Sequence, residues 1–224
     1  RVDKSSGLGG IDDSKGGIGF KLHPSFVLDA SSCFPIGFSD IHIWNREPGM
    51  GDKHDREYTK LPIEQKESYK WIQGSDRSKE VLSKAKAVII VQDREGDIFE
   101  QFAQVPDEKT FLLVRSRVNR KIADDERLWD KLSEATVMGQ YELHLSSDSH
   151  RKEPARTATM EVRCVAVEMQ RPTNANKNPV KTVTAYAIEA KEINSEAKEP
   201  VLWRLLTTWP VTNYEEILQV IDWY

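Results

Sequence analysis

The run from Ala87 to Glu100, Ala-Val-Ile-Ile-Val-Gln-Asp-Arg-Glu-Gly-Asp-Ile-Phe-Glu, constrains the fold more than any other part of the chain. Ala87 to Val91 is apolar and mostly β-branched, which fits a strand covered on both faces, and polarity switches abruptly at Gln92 and Asp93. Ligands of α/β proteins bind at the carboxyl ends of such strands, so Asp93 stands where a metal-binding carboxylate belongs. The plainer reading is that Asp93 caps a helix over about 95–104 that carries Asp97, Ile98, Phe99 and Phe102.

Elements on either side extend the pattern. Residues 7–19 hold six of the twelve glycines and read as a flexible loop that matches neither a P-loop nor a dinucleotide fingerprint. Strands are expected over 20–30 and 34–44, joined as a hairpin by Ser31, Ser32 and Pro35, followed by a polar loop over 46–60. Pro62 and Ile63 open a helix to about Ile72, and 78–86 reads as a second short helix. Thr110 to Ser116 is another buried strand and 127–135 a helix. From Met138 to Thr208 the character changes to four antiparallel strands, over 141–145, 157–168, 182–192 and 202–208. Asn213 is a good N-cap for a last helix whose Ile217, Leu218 and Ile221 share a face.

Composition narrows the class. With 224 residues, 30% charged and 38% hydrophobic, the chain can bury a proper core and carries no disordered or fibrous bias. No apolar stretch has the length of a membrane span and the N-terminus is polar, so a cytoplasmic protein with Cys33 and Cys164 reduced is expected. A net charge of −4 argues against a uniformly basic nucleic-acid coat but leaves room for a local one. Arg115, Arg117, Arg120 and Lys121 leave one strand end as such a patch, either a solvated face or a phosphate-binding one. The five histidines, His23, His42, His54, His144 and His150, show no ligand spacing, and Ser5, Ser6 and Ser78 have no visible base partner.

Hairpin, helix, strand ending in Asp, helix, strand is most of an α/β ribonuclease-H-like fold, lacking its first strand and last helix. In this order the blocks Lys66-Glu67-Ser68-Tyr69-Lys70-Trp71, Asp93-Arg94-Glu95-Gly96-Asp97-Ile98, Phe111 to Ser116, Trp203-Arg204-Leu205-Leu206-Thr207-Thr208 and Val220-Ile221-Asp222-Trp223-Tyr224 resemble the catalytic domain of cut-and-paste DDE transposases of the insertion-sequence-four type. The resemblance implies an incomplete ribonuclease-H-like core over 1–136, a mostly antiparallel β insertion over 137–210, and from 211–224 the start of a helix returning to the core. It further implies three carboxylates holding two divalent ions, Mg²⁺ or Mn²⁺, for strand nicking, hairpin formation and strand transfer. Its partners are transposon-end DNA and target DNA, bridged by a homodimer, in the bacterial cytoplasm.

Residue by residue, the resemblance makes Asp93 the second catalytic and metal-binding carboxylate. Arg115 becomes a DNA contact beside the active site, the rest of its patch (Arg117, Arg120 and Lys121) being suited to phosphate by charge alone, and Tyr224 becomes a phosphate contact at the first position of a Tyr-Arg-Glu-Lys helix motif. Trp203 matches an aromatic that stacks on a flipped base, although a core Trp between strands is an equal reading. Asp97 is either an outer partner of the metal site or a carboxylate favouring the helix dipole, and the dipole reading is preferred for it and for Glu95. None of Asp3, Asp12 and Asp13 ends a strand, and the motif's Glu lies beyond Tyr224. The chain as given is therefore expected to be inactive alone. A non-catalytic DNA-binding relic, or an unrelated ribonuclease-H-like nuclease using Asp29 or Asp40, are the alternatives.

Overall fold

The computed structural model describes residues 8–10, 18–45, 61–147, 154–175 and 177–224. Expectations for 46–60, for Asp3, Ser5, Ser6, Asp12, Asp13, His54 and His150, and for most of the glycine-rich loop fall outside these residues. The chain divides after Val88 into two compact units, and the protein is mixed α/β.

In the first unit, β1 (Gly9–Gly10) pairs with β2 (Ile18–Gly19), and β3 (Lys21–Leu28) pairs antiparallel with β4 (Pro35–Trp44). The β3–β4 turn is organised by Asp29, whose Oδ1 accepts from the Ser31 and Ser32 N–H groups at 3.2 and 2.9 Å and from the Ser32 hydroxyl at 2.8 Å. Strand alternation places small and polar residues on the face toward α1 (Tyr69–Val81). There Ser39 and Ser78 hydroxyls meet at 2.8 Å, Arg77 pairs with Asp40 at 3.0 Å, and His23 stands edge-on to Trp71 at 4.4 Å. The opposite face carries Leu22, Phe26, Leu28, Phe38, Ile41 and Ile43, all about half exposed.

The helices expected over 63–72 and 78–86 are one helix, α1, preceded by a 3₁₀ turn at Ile63–Gln65. Gly74 serves close approach inside the helix, since a Cβ there would lie 3.3 Å from the Ser25 hydroxyl. Ser75 and Ser78 return hydrogen bonds of 2.7 Å to the carbonyls of Trp71 and Gly74, which lets them sit inside a helix.

The second unit is built on a six-stranded mixed sheet in the order β5-β6-β10-β9-β8-β7, formed by β5 (Val88–Gln92), β6 (Thr110–Arg115), β7 (Val137–Leu145), β8 (Arg156–Gln170), β9 (Thr182–Glu192) and β10 (Leu202–Thr207). β10 pairs with both β6 and β9, so the strands from 137 onward continue the sheet begun by β5 and β6. The expected division near residue 136 falls between α3 (Leu128–Glu134) and β7, inside this unit. Leu113, Met160, Val162, Ile188 and Leu205 form one apolar face with Ile217, Val220 and Ile221 of α4 (Tyr214–Trp223). Asn213 caps α4, its side chain accepting from the Glu216 N–H at 2.9 Å. Trp209 lies edge-on between Phe111 and Trp223, at 4.7 and 5.3 Å.

Two expectations around β5 need correction. The strand is not covered on both faces, because Val91 is 42% exposed. Nor does a helix run from residue 95. A 3₁₀ turn covers Arg94–Gly96, the backbone extends again at Ile98, and α2 (Phe99–Gln104) begins only there. Asp97 consequently lies before the helix rather than in its first turn, and the dipole account does not apply to it.

Candidate functional site

Asp93 closes β5 with extended backbone and an exposed carboxylate that makes no capping hydrogen bond to the turn it precedes. The turn is tight because residue 96 is glycine. A Cβ there would fall 2.2 Å from Gln92 Oε1, and that oxygen is held in a buried bond from the Gln101 amide. Strand alternation then fixes the direction of Asp93. Ile89 packs on the α4-facing core, so Val91 and Asp93, two and four residues on, belong to that same face.

Two other residues named from the sequence meet Asp93 there. Arg115 ends β6 and is paired across the sheet with Leu205, a core residue of the same face. Tyr224 ends α4, its ring packed on the core and its hydroxyl donating to Asp93 Oδ1 at 3.3 Å. Arg115 also hydrogen-bonds this hydroxyl. Burial raises the tyrosine pKa and the Asp93 charge adds to that, whereas Arg115 acts in the other direction. An exposed carboxylate, a phenol and a guanidinium thus share one end of the sheet, suited to a phosphate on the cationic side and a cation on the anionic side.

The remaining basic residues separate. Arg117 is exposed. Lys121 is exposed and ion-paired with Asp125. Arg120 is largely buried, paired with Asp97 and laid over the Phe102 ring at 5.7 Å, and burial pulls its pKa down to about 10. This guanidinium is engaged within the fold, by the Asp97 carboxylate and the Phe102 ring. Asp97 is buried as well, and its Oδ2 accepts from the Arg117 and Val118 N–H groups at 2.7 and 3.3 Å. The Trp203 ring is half-buried against the core opposite Ala190.

On the reverse face lies a network that the sequence did not suggest. Arg163, Glu189 and Arg204 are direct neighbours across β8, β9 and β10. The buried Glu189 accepts from Arg204 at 2.8 Å and lies 3.5 Å from Arg163. Arg204 covers the Trp129 ring at 4.6 Å, and the Trp129 indole donates to the Ser116 hydroxyl at 3.4 Å. Nothing in the spacing of 163, 189 and 204 signals this, since it depends on strand register.

Asp29 and Asp40, the carboxylates of the nuclease alternative, are engaged in the hairpin turn and the pair with Arg77. His23 and His42 belong to an aromatic group with Trp44, and His144 meets the Thr157 hydroxyl at 3.0 Å. Among the described residues no three His, Cys, Asp or Glu side chains gather to hold a metal ion. Asp93 alone, with a phenol and a guanidinium beside it, does not make a two-metal site. No described helix is long and apolar enough to cross a membrane. No family model matches the chain.

Proposed function

We propose that the chain is part of the catalytic domain of a DDE transposase of the insertion-sequence-four type, with Asp93 as one of three carboxylates of a ribonuclease-H-like core. The observation that carries this reading is the meeting of Asp93, Arg115 and Tyr224. The resemblance assigned each to one active site, and they come from three elements up to 131 residues apart.

The substrate in this reading is transposon-end DNA, then target DNA, and the reaction nicks one strand and transfers the freed 3′-hydroxyl. Arg115, Arg117 and Tyr224 contact backbone phosphates and Asp93 contributes to binding Mg²⁺ or Mn²⁺, with carboxylates beyond the described residues completing that site. The test uses the protein expressed from its whole reading frame and a supercoiled plasmid bearing the element ends, in Mg²⁺ or Mn²⁺. Nicking by the native protein and its loss in Asp93→Asn are expected; undiminished nicking by that variant overturns the assignment.

The hydrogen bond that Asp93 already accepts from Tyr224 favours one second reading, a DNA-binding relic without catalysis. It predicts DNA affinity that falls steeply with salt and no nicking by the same protein.

A further inference from the structure

The segment 116–120 follows β6 and carries the exposed Arg117, yet its backbone is tied on every side. The Ser116 N–H donates to the Arg204 carbonyl at 2.7 Å, and the Leu128 N–H to the Arg120 carbonyl at 3.0 Å. Asn119 Oδ1 accepts from the Trp129 N–H at 2.8 Å. The Asn119 carbonyl accepts from Arg127 at 3.2 Å, and three more ties converge on Asp97, which takes the Arg117 and Val118 N–H groups on one oxygen and the Arg120 guanidinium on the other. Loops at strand ends are ordinarily the mobile part of a domain.

Burying a carboxylate and a guanidinium together is a poor route to stability, since desolvation offsets most of the attraction. Here the pair is additionally imperfect, because Arg120 Nε is buried without a partner. What the arrangement does provide is a fixed distance between two strand ends. Asp97 closes the turn that begins at Asp93, and its ligands are the residues that follow Arg115.

We propose that Asp97 is a positioning residue, which acts through the Arg117 and Val118 amides and Arg120 to present the Arg117 guanidinium to a backbone phosphate of DNA bound at Asp93. The inference rests on the DNA-facing reading of this end of the sheet. Asp97 itself touches no ligand. Its role is to keep a long cationic side chain on an immobile base, so that less order must be imposed on binding.

The test combines DNA binding and amide exchange. Binding of a short mixed-sequence duplex is measured over a salt series for the native protein and Arg117→Ala, and for both in an Asp97→Asn/Arg120→Met background that leaves no unpaired buried charge. In the native background, loss of Arg117 should reduce the salt slope by about one. In the altered background the slope should already be reduced by about that amount, and removing Arg117 should change it little further. An undiminished effect of Arg117→Ala in a folded Asp97→Asn/Arg120→Met protein overturns the proposal.

Hydrogen exchange at the Arg117 and Val118 amides is read without DNA. Slow exchange in the native protein, accelerated at least about tenfold in the double variant while core amides of β9 are unchanged, is expected. Unaltered exchange at both amides overturns the positioning role. If native protein binds DNA with no salt dependence, the DNA-facing reading fails instead, and the exchange result still decides whether Asp97 holds the loop.

Discussion

The Tyr224 hydroxyl donates to Asp93 Oδ1 at 3.3 Å, so the residue that follows α4 meets the residue that follows β5. Neither side chain is needed to hold the other in place, because the Tyr224 ring packs on the core and Asp93 is set by its strand. The contact is therefore open to exchange for a ligand.

Tyr224→Phe should change stability by less than about 1 kcal/mol, as expected for a long, partly solvated hydrogen bond. The same variant should weaken duplex DNA binding, and Arg115→Ala should both weaken it and lower its salt slope by about one. Melting curves and a salt titration check the two expectations, and a large loss of stability in Tyr224→Phe would contradict the independence argued above.

Gly96→Ala should cost roughly 1–3 kcal/mol, because the new methyl group meets Gln92 Oε1 and Cβ at 2.2 and 2.8 Å and Gln92 is held by Gln101. Denaturant unfolding measures the cost. Gln92→Ala/Gly96→Ala should recover little, since it leaves the Gln101 amide buried without its acceptor.

Much of the second unit was legible in the residues. β8 to β10 follow from alternation and turn residues, and α4 from its cap at Asn213 and its apolar face. The convergence of Asp93, Arg115 and Tyr224 was expected only through the resemblance, since no local pattern links residues so far apart. Less visible was the continuity of α1, where Gly74 and two serines imitate a helix end and are explained only by the hairpin they pack on. The place of Asp97 is hidden in the sequence for a related reason. Whether a carboxylate near a helix start faces water or takes two amides and a guanidinium depends on a loop twenty residues later.

Glu189→Ala should destabilise the protein by about 1–3 kcal/mol, because it removes the anion shared by Arg163 and Arg204, of which Arg163 keeps Glu161 at 2.6 Å. Equilibrium unfolding gives the value. A cost below about 1 kcal/mol would mean that solvent reaches both guanidinium groups.

Glu192 gives the stability a pH signature. Its carboxyl is held down to about 2 from 4.5, first by the bidentate Arg156 and then by the Val201 amide and the Ser195 hydroxyl. A depressed folded pKa contributes stability that is complete above the unfolded value and lost as pH falls from about 5 toward 2. The native protein should exceed Glu192→Gln by roughly 1–3 kcal/mol near neutrality, and the gap should close over that acidic window. A gap constant from pH 7 to 3 would exclude this origin.

The pairing of β6 with β10 has a consequence in time. Leu112 and Thr208 exchange hydrogen bonds across 96 positions of sequence, and α4 covers the sheet from still later in the chain. Contacts this remote close slowly, because the intervening loop must lose its freedom before they form. During synthesis β5 and β6, with Asp93 and Arg115 already made, therefore wait for β10 to leave the ribosome. A polypeptide halted before residue 202 should be a target for chaperones and proteases.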